Sequence, residues 1–356
     1  MVAGGITGAL VLAAAVVCLG SGCSSLGYYA QAAAGHLELL QRARSVPDVM
    51  AAADTTPALR DRLALSQRLR DFAVAELKLP DNNSYRRYSD LERSAAVWNV
   101  VATPELNLTL KTWCFPVLGC VGYRGYYTQP AAEALAAELR QQGQETRVYG
   151  VPAYSTLGYS NWVGGDPLLN TFINWPDAEL AKLMFHELSH QVAYADDDTT
   201  FNESFATAVE RIGGRRWLAL QPQGAVALQA LQQHEQRQQD FRALTQRYRS
   251  ELQALYSSTI TDDIKRHRKA QLMAGMQAEY HVVRTERWGG FNGYDPWFAN
   301  ANNAYFAVLA AYTELVPEFE RLYQRQGSNF ERFYAEVKRL AALPKDQRRA
   351  ALAGSP

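Results

Sequence analysis

The chain has almost nothing with which to attract a polyanion. Its 356 residues hold 36 basic and 36 acidic side chains, a formal net charge of zero, so no global field recruits nucleic acid or an anionic surface. It also has no basic stripe, no low-complexity tract and no internal repeat. No Gly-x-Ser-x-Gly elbow is present, which argues against a serine hydrolase. Only six histidines and four cysteines occur, and no Cys-x-x-Cys pair builds a thiolate metal site. Charge is missing altogether from Val2 to Cys23. That stretch, "ITGALVLAAAVVCLGSGC" in its apolar part, reads as the hydrophobic region of a secretory signal ending in small residues. A retained anchor is the competing reading, since a spanning helix needs about 20 apolar residues.

What remains is ordinary for a globular protein, 47% hydrophobic and 20% charged, with enough chain for one large domain or two modest ones. Gly20-Ser21-Gly22-Cys23, followed by two serines, resembles a bacterial lipobox, in which the cysteine is lipidated and becomes the mature N-terminus. The resemblance implies a lipid anchor on Cys23 and, with Ser24 following, the outer membrane facing the periplasm. A cleaved soluble signal is the other outcome. Cys114 and Cys120 are then left, six apart around a Pro and a Gly in "TWCFPVLGCVGYRGYY". In an exported protein that spacing predicts a disulfide closing a small loop, worth roughly 2 kcal/mol or less on the entropy account. Two buried free thiols are the alternative.

Residues 26–78 read as helix, interrupted at Pro47 and restarted at Pro57. "AAVWNVVA" and "LNLTLKTW" are strand-like, as are "VGYRGYYT" and "ETRVYGVPAYSTLGYS", which flank a compact helix closed by Gly143. "AYSTLGYSNWVGGDPLLN" can supply an edge strand for an extended peptide. Residues 225–287, rich in Gln, Arg and Leu, predict an antiparallel helical hairpin turning at "SSTITDD". One further helix is expected over "ANNAYFAVLAAYTELVPEFERLY". The divisions that follow are a signal peptide at 1–22, a helical region at 23–80, a core at 81–220 and a helical region at 221–356.

The chemistry concentrates in "DAELAKLMFHELSHQVAY", where Pro176 marks a helix start. Wound at roughly 100° per residue from Leu180, residues Met184, Leu188, Val192 and Phe185 fall within about 40–140°, a buried stripe. His186 and His190 fall opposite, at about 240–280° and about 6 Å apart along the axis, so both imidazoles can reach one cation. Glu187 lies on the shoulder of that face, where it is no ligand but can take a proton from a water. A catalytic zinc wants three protein ligands. Glu203, thirteen residues beyond His190, can supply the third if a second helix folds back after the Asp196–Asp198 run. Thr200-Phe-Asn-Glu203 is equally a capping box, in which Glu203 ties back the helix start. The histidine pair upstream favours the ligand.

"HELSHQ" followed by "NESFA" resembles the gluzincin arrangement, in which Asn-Glu-x-x-Ala on a second helix carries the third ligand. "GCSSLGYYAQAAAGHLELL", "TWCFPVLGCVGYRGYY" and "FNGYDPWFANANNAYF" extend the resemblance, over nearly the whole chain, to bacterial lipoproteins described as predicted zinc aminopeptidases. It implies an α+β, mostly helical zincin-like metallopeptidase with a small sheet before the His-Glu-x-x-His helix and a long hairpin after it. It further implies Zn2+ held by His186, His190 and Glu203, Glu187 as the catalytic carboxylate, and a peptide substrate. The spacing from His190 to Glu203 is shorter than in thermolysin-like relatives, and the Gly-x-Met-Glu-Asn segment that holds a substrate amine is missing. An oxyanion donor is also needed; Tyr280, His281, Tyr294 and Tyr305 are candidates. The rival from another class is a noncatalytic envelope lipoprotein with a structural metal site and a helical assembly arm.

Overall fold

The computed structural model describes residues 23–115, 119–153, 165–196, 198–309 and 315–354. The signal-peptide stretch 1–22, and most of the edge strand expected over 153–170, lie outside these. Helix α1 (Cys23–Arg42) comes first, then the two-residue strand β1 (Arg44–Ser45), α2 (Val46–Ala51) and α3 (Pro57–Ala75). Both prolines stand in the first turn of their helices, where the missing N–H costs nothing. The preceding residues cap them: Ser45 accepts from Asp48 N and Thr56 from Leu59 N, each at 3.2 Å. Leu63, Leu69, Phe72 and Ala73 of α3 face the core.

Three small sheets follow. In the antiparallel set β6 (Arg124–Tyr126), β3 (Val97–Pro104) and β7 (Gln144–Val151), β3 and β7 pair over eight residues, Val97 opposite Val151 through Pro104 opposite Gln144. Helix α4 (Gln129–Gln141) packs on this sheet through Ala132, Ala136 and Leu139. It ends where Gly143 takes a φ of +77°. β4 (Trp113–Phe115) and β5 (Gly119–Val121) form a hairpin in which Cys114 and Cys120 are register partners and disulfide-bonded, as the spacing predicts. β2 (Arg87–Ser89) lies between antiparallel β1 and parallel β8 (Leu168–Leu169).

The strand expected over "LNLTLKTW" does not form before Trp113. The segment is pulled away from the sheet instead: Asn303 Nδ2 donates to the carbonyls of Pro104, Glu105 and Asn107, and Leu108 is buried among the aromatics of the helical arm. Leu106 packs on the same arm core, and Leu110 lies by Gly122 instead.

The remainder is helical, so the architecture is mostly helical α+β. Helices α5 (Asp177–Ser189) and α6 (Thr199–Ala219) precede the expected hairpin of α7 (Gly224–Ser257) and α8 (Asp262–Val282), which runs into a π-turn at Val283–Arg287. The single helix expected over 301–323 is divided: α10 (Asn303–Leu309) follows the short α9 (Asp295–Asn300), and α11 (Val316–Arg325) starts afresh with Pro317 in its first turn. α12 (Phe330–Ala341) and α13 (Lys345–Ala353) complete the fold. The main core gathers residues from α2, α3, α5, α6 and α11–α13, while the arm has its own core around Phe241, Tyr280, Trp297 and Phe298. Among the described residues no helix is long and apolar enough to cross a membrane.

Candidate metal centre

Helix α5 begins after Pro176 with Asp177 and Glu179 in its first turn, acids that suit the positive end of the helix dipole. Leu180, Met184, Phe185 and Leu188 are fully buried, so the apolar stripe is where its period puts it. The helix stops at Ser189 with His190 as its C-cap, and Val192, placed on the stripe by sequence, lies beyond the end in the following turn. The opposite face is covered too: His190 is 6% exposed. Its cover is α6, which runs antiparallel. Lys182 meets Gly214, His186 meets Glu210 and Glu203, and His190 meets Glu203.

Two adjacent glycines permit that approach. A Cβ on Gly213 would stand 2.6 Å from Leu77 and 3.0 Å from Phe185, both fully buried, and one on Gly214 would stand 3.0 Å from Lys182 Cγ. At the other end, Asn202 clasps the connection by bonding Ala195 twice, its Oδ1 accepting from N and its Nδ2 donating to O, both at 2.8 Å. The N-cap of α6 is Asp198, whose carboxylate accepts from Phe201 N at 3.2 Å. The capping box at Thr200 therefore does not form. Thr200 is already inside the first turn, and Glu203, a turn further on, is released from any capping duty.

Glu203 is spent on the histidines. Its Oε2 lies 3.3 Å from His186 Nε2 and its Oε1 lies 3.9 Å from His190 Nε2. The three ligand atoms all fall within 4.8 Å of one another. Donors at about 2.0–2.1 Å from a tetrahedral zinc stand roughly 3.4 Å apart, so two imidazoles and one carboxylate fit such an ion with small adjustments. The two imidazoles are poised differently. Burial, reinforced by the His186 charge, pushes His190 down to about 4 against the pull of Glu203, leaving its ring neutral. Burial also works to lower His186, but hydrogen bonds to Glu203 and Glu210 outweigh it and hold that ring's pKa well above the usual range. For Glu203, the burial that would raise its pKa is overcome by the two histidines, which keep it ionised.

Glu210 was not foreseen. It lies seven residues, about two turns, beyond Glu203 on the same face of α6, and its Oε2 is 3.1 Å from His186 Nδ1. Burial opposes its ionisation, but His186, Lys182 and Arg211 hold its pKa low. As an acceptor only, it takes the Nδ1 proton, and a cation displacing the proton from Nε2 would find the ring oriented as a carboxylate orients a ligating histidine. Lys182 Nζ, 3.5 Å from its other oxygen, steadies it in turn. Period alone could have flagged Glu210; its partner could not be known without the helix pairing.

Glu187, half-buried, lies off the ligand face, and its charge is felt by His186 and by the buried Tyr85. The oxyanion candidates are engaged elsewhere: the Tyr280 hydroxyl on Asp295 with His281 beside its ring, Tyr294 stacked on Phe241, Tyr305 under Arg147 of β7. Tyr123 is different. It is 45% exposed, yet burial of part of the side chain, then Tyr149, Tyr28, Tyr194 and, least, Glu203 raise its pKa. Cys23 opens α1, and Cys114 and Cys120 close the hairpin two strands before α4.

No curated protein and no solved structure matches the chain. One family model does, over residues 27–352, a span that contains the whole histidine–carboxylate cluster and the disulfide; the family is described as "Putative aminopeptidase".

Proposed function

The chain belongs to this aminopeptidase family, and from that premise we propose that it is a zinc-dependent peptidase that trims peptides from their amino ends. The observation that carries the metal part is the convergence of His186, His190 and Glu203 on one position. Three such donors suit zinc, and three rather than four is the count of a catalytic site, which keeps a position open. Among the described residues no fourth ligand joins the group. When bound, the ion supplies Lewis acidity and lowers the pKa of water toward neutrality.

The chain's own residues do the rest. Glu210 holds His186 in register. Glu187 accepts the proton of the attacking water and returns it to the leaving amine, a role open to it because its carboxylate is not spent as a ligand. The same reading puts the protein at the bacterial outer membrane on a lipid attached to Cys23. Its support is the uncharged segment that ends in small residues at that cysteine.

Metal analysis and peptide cleavage on two purified variants test the core of this. Glu203→Ala is expected to lose zinc. Glu187→Gln is expected to keep zinc while cleavage falls about 10²–10⁴-fold. A zinc-replete, active Glu203→Ala protein overturns the ligand set, and an unimpaired Glu187→Gln protein overturns the base. Equal cleavage of N-acetylated and free peptides overturns the amino-end preference.

A further inference from the structure

The loop after α3 folds onto the carboxyl end of the histidine helix. Asn82 Nδ2 donates to Gln191 Oε1 at 2.6 Å, and Gln191 Nε2 donates to Ser84 Oγ at 3.1 Å. Behind the loop, the fully buried Arg70 donates to the carbonyls of Pro80, Asn82 and Ser84. Gly165, at a φ of +71°, closes over it so tightly that a Cβ there would meet Ser84 N at 2.4 Å, and Tyr85 N donates to Asp166 O at 2.7 Å.

In that grip Tyr85 takes a φ of +64°, a left-handed conformation that a bulky aromatic residue adopts only when its surroundings force it. Its ring is 1% exposed and stands edge-on to Phe172. Its hydroxyl, at the end of this strained and buried side chain, has no hydrogen-bond partner. An orphaned buried hydroxyl costs stability, and native folds seldom keep one without use for it. What the strain achieves is placement. Gln191, the residue the loop grips, stands in the turn that closes the helix, its N–H on Leu188 O at 3.2 Å, so the loop that carries Tyr85 is fastened to the end of the helix that bears Glu187. Burial is the main reason the Tyr85 phenol resists ionisation; the charges of Glu187 and Asp166 add to it, and Arg70 opposes.

We infer that Tyr85 is a positioning residue for Glu187: its hydroxyl is left without a partner in the fold so that it can orient the Glu187 carboxylate, directly or through one water, toward the histidine face. The inference rests on the reading of Glu187 as the base. It takes the hydroxyl out of the packing inventory and gives the left-handed backbone at residue 85 a purpose.

The test is a cycle of Tyr85→Phe and Glu187→Gln on the zinc-loaded full protein, with kcat, KM, zinc content and unfolding midpoint read for all four proteins. Tyr85→Phe keeps the ring and removes only the orphan oxygen. It is expected to lower kcat at least tenfold while KM and zinc content stay put and the midpoint does not fall. In the Glu187→Gln background it is expected to have no further effect on kcat. An unchanged kcat, a loss of the same size in both backgrounds, or a lowered midpoint with KM and kcat drifting together overturns the inference. If the wild-type protein cleaves no peptide, the functional reading fails separately, and the midpoints still decide. A Tyr85→Phe shift that is identical in both backgrounds, or that disappears with Asp166→Asn instead of Glu187→Gln, overturns the link between Tyr85 and Glu187.

Discussion

Helices α5 and α6 form one antiparallel pair and helices α7 and α8 another, and what holds each pair in place differs. Between α5 and α6 the spacers are Gly213 and Gly214, and charged groups span the gap: Lys182 to Glu210, Glu210 to His186, His186 to Glu203. In the arm each helix packs on rings of the segment that follows, Phe241 of α7 stacked on Tyr294 at 4.3 Å and Tyr280 of α8 on Phe298 at 3.9 Å, while Arg247 and Tyr248 of α7 reach Glu279 of α8 near the surface. Glycine spacers let short carboxylates reach imidazoles on the neighbouring helix; the arm is held by packed rings on its flank instead. The first arrangement makes a site and the second makes a scaffold. The comparison predicts that equivalent changes in the two pairs have unequal consequences.

The largest difference is expected at their buried carboxylates. Asp198 is wholly buried at the start of α6, with Arg348 of α13 at 3.2 Å and Arg349 at 3.4 Å. Arg348 is itself 3% exposed and also donates to the carbonyls of Ala341 and Leu343. Arg348→Ala strips a buried ion of its best partner, a change that costs about 3 kcal/mol or more. Because Asp198 caps the helix that carries Glu203, zinc content is expected to fall with it. The arm's counterpart, Arg287 on Asp240 at 3.0 Å, is 59% exposed, and Arg287→Ala is expected to cost under about 1 kcal/mol. Urea midpoints and metal analysis on both variants check this, and comparable losses would break the distinction.

A second, smaller effect is expected at the glycines of the seam. Gly213→Ala drives a methyl group into Leu77 and Phe185, neither of which has room to move. Overpacking of this kind costs about 1–3 kcal/mol, against which the gain in helix propensity of roughly 1 kcal/mol is a partial offset. The expected net result is a lower midpoint and weaker zinc retention. A variant as stable and as metal-rich as the parent would show that the two helices need no glycine spacer.

What was legible in the sequence follows the same division. The phase of α5 could be read because burial on one face and ligands on the other both repeat at the helical period. The disulfide and the hairpin of the arm could be read because spacing and a turn signal are local. The cap of α6 could not. "DDDTT" offers several residues able to cap, and Asp198 is chosen over Thr200 by Arg348, which is 150 positions away in the chain. Glu210 and Tyr85 escaped for the same reason: each acquires its role from a partner brought in by the fold. "LNLTLKTW" misled because alternating leucines look like a strand whether a sheet or the core of a helical arm receives them. The break between α10 and α11 was visible as Pro317, and was passed over in favour of a continuous apolar pattern.

The smallest effect concerns Gly275, the arm's helical glycine, and its sign is what matters. Gly275 lies in the interior of α8 and is exposed, and a Cβ there would find only the Tyr248 hydroxyl, at an ordinary 3.5 Å. Nothing in the packing asks for glycine at this position, so the residue contributes only its entropic disadvantage in a helix. Gly275→Ala is therefore expected to raise the unfolding midpoint, by roughly 0.5–1 kcal/mol of stability, and to leave zinc content and peptide cleavage untouched. The same single methyl group is thus expected to act in opposite directions on the two helix pairs. Measured side by side with Gly213→Ala, a destabilised Gly275→Ala protein would mean that the arm, too, depends on close backbone approach, and the contrast between a glycine-spaced pair and one held by rings on its flank would lose its structural basis.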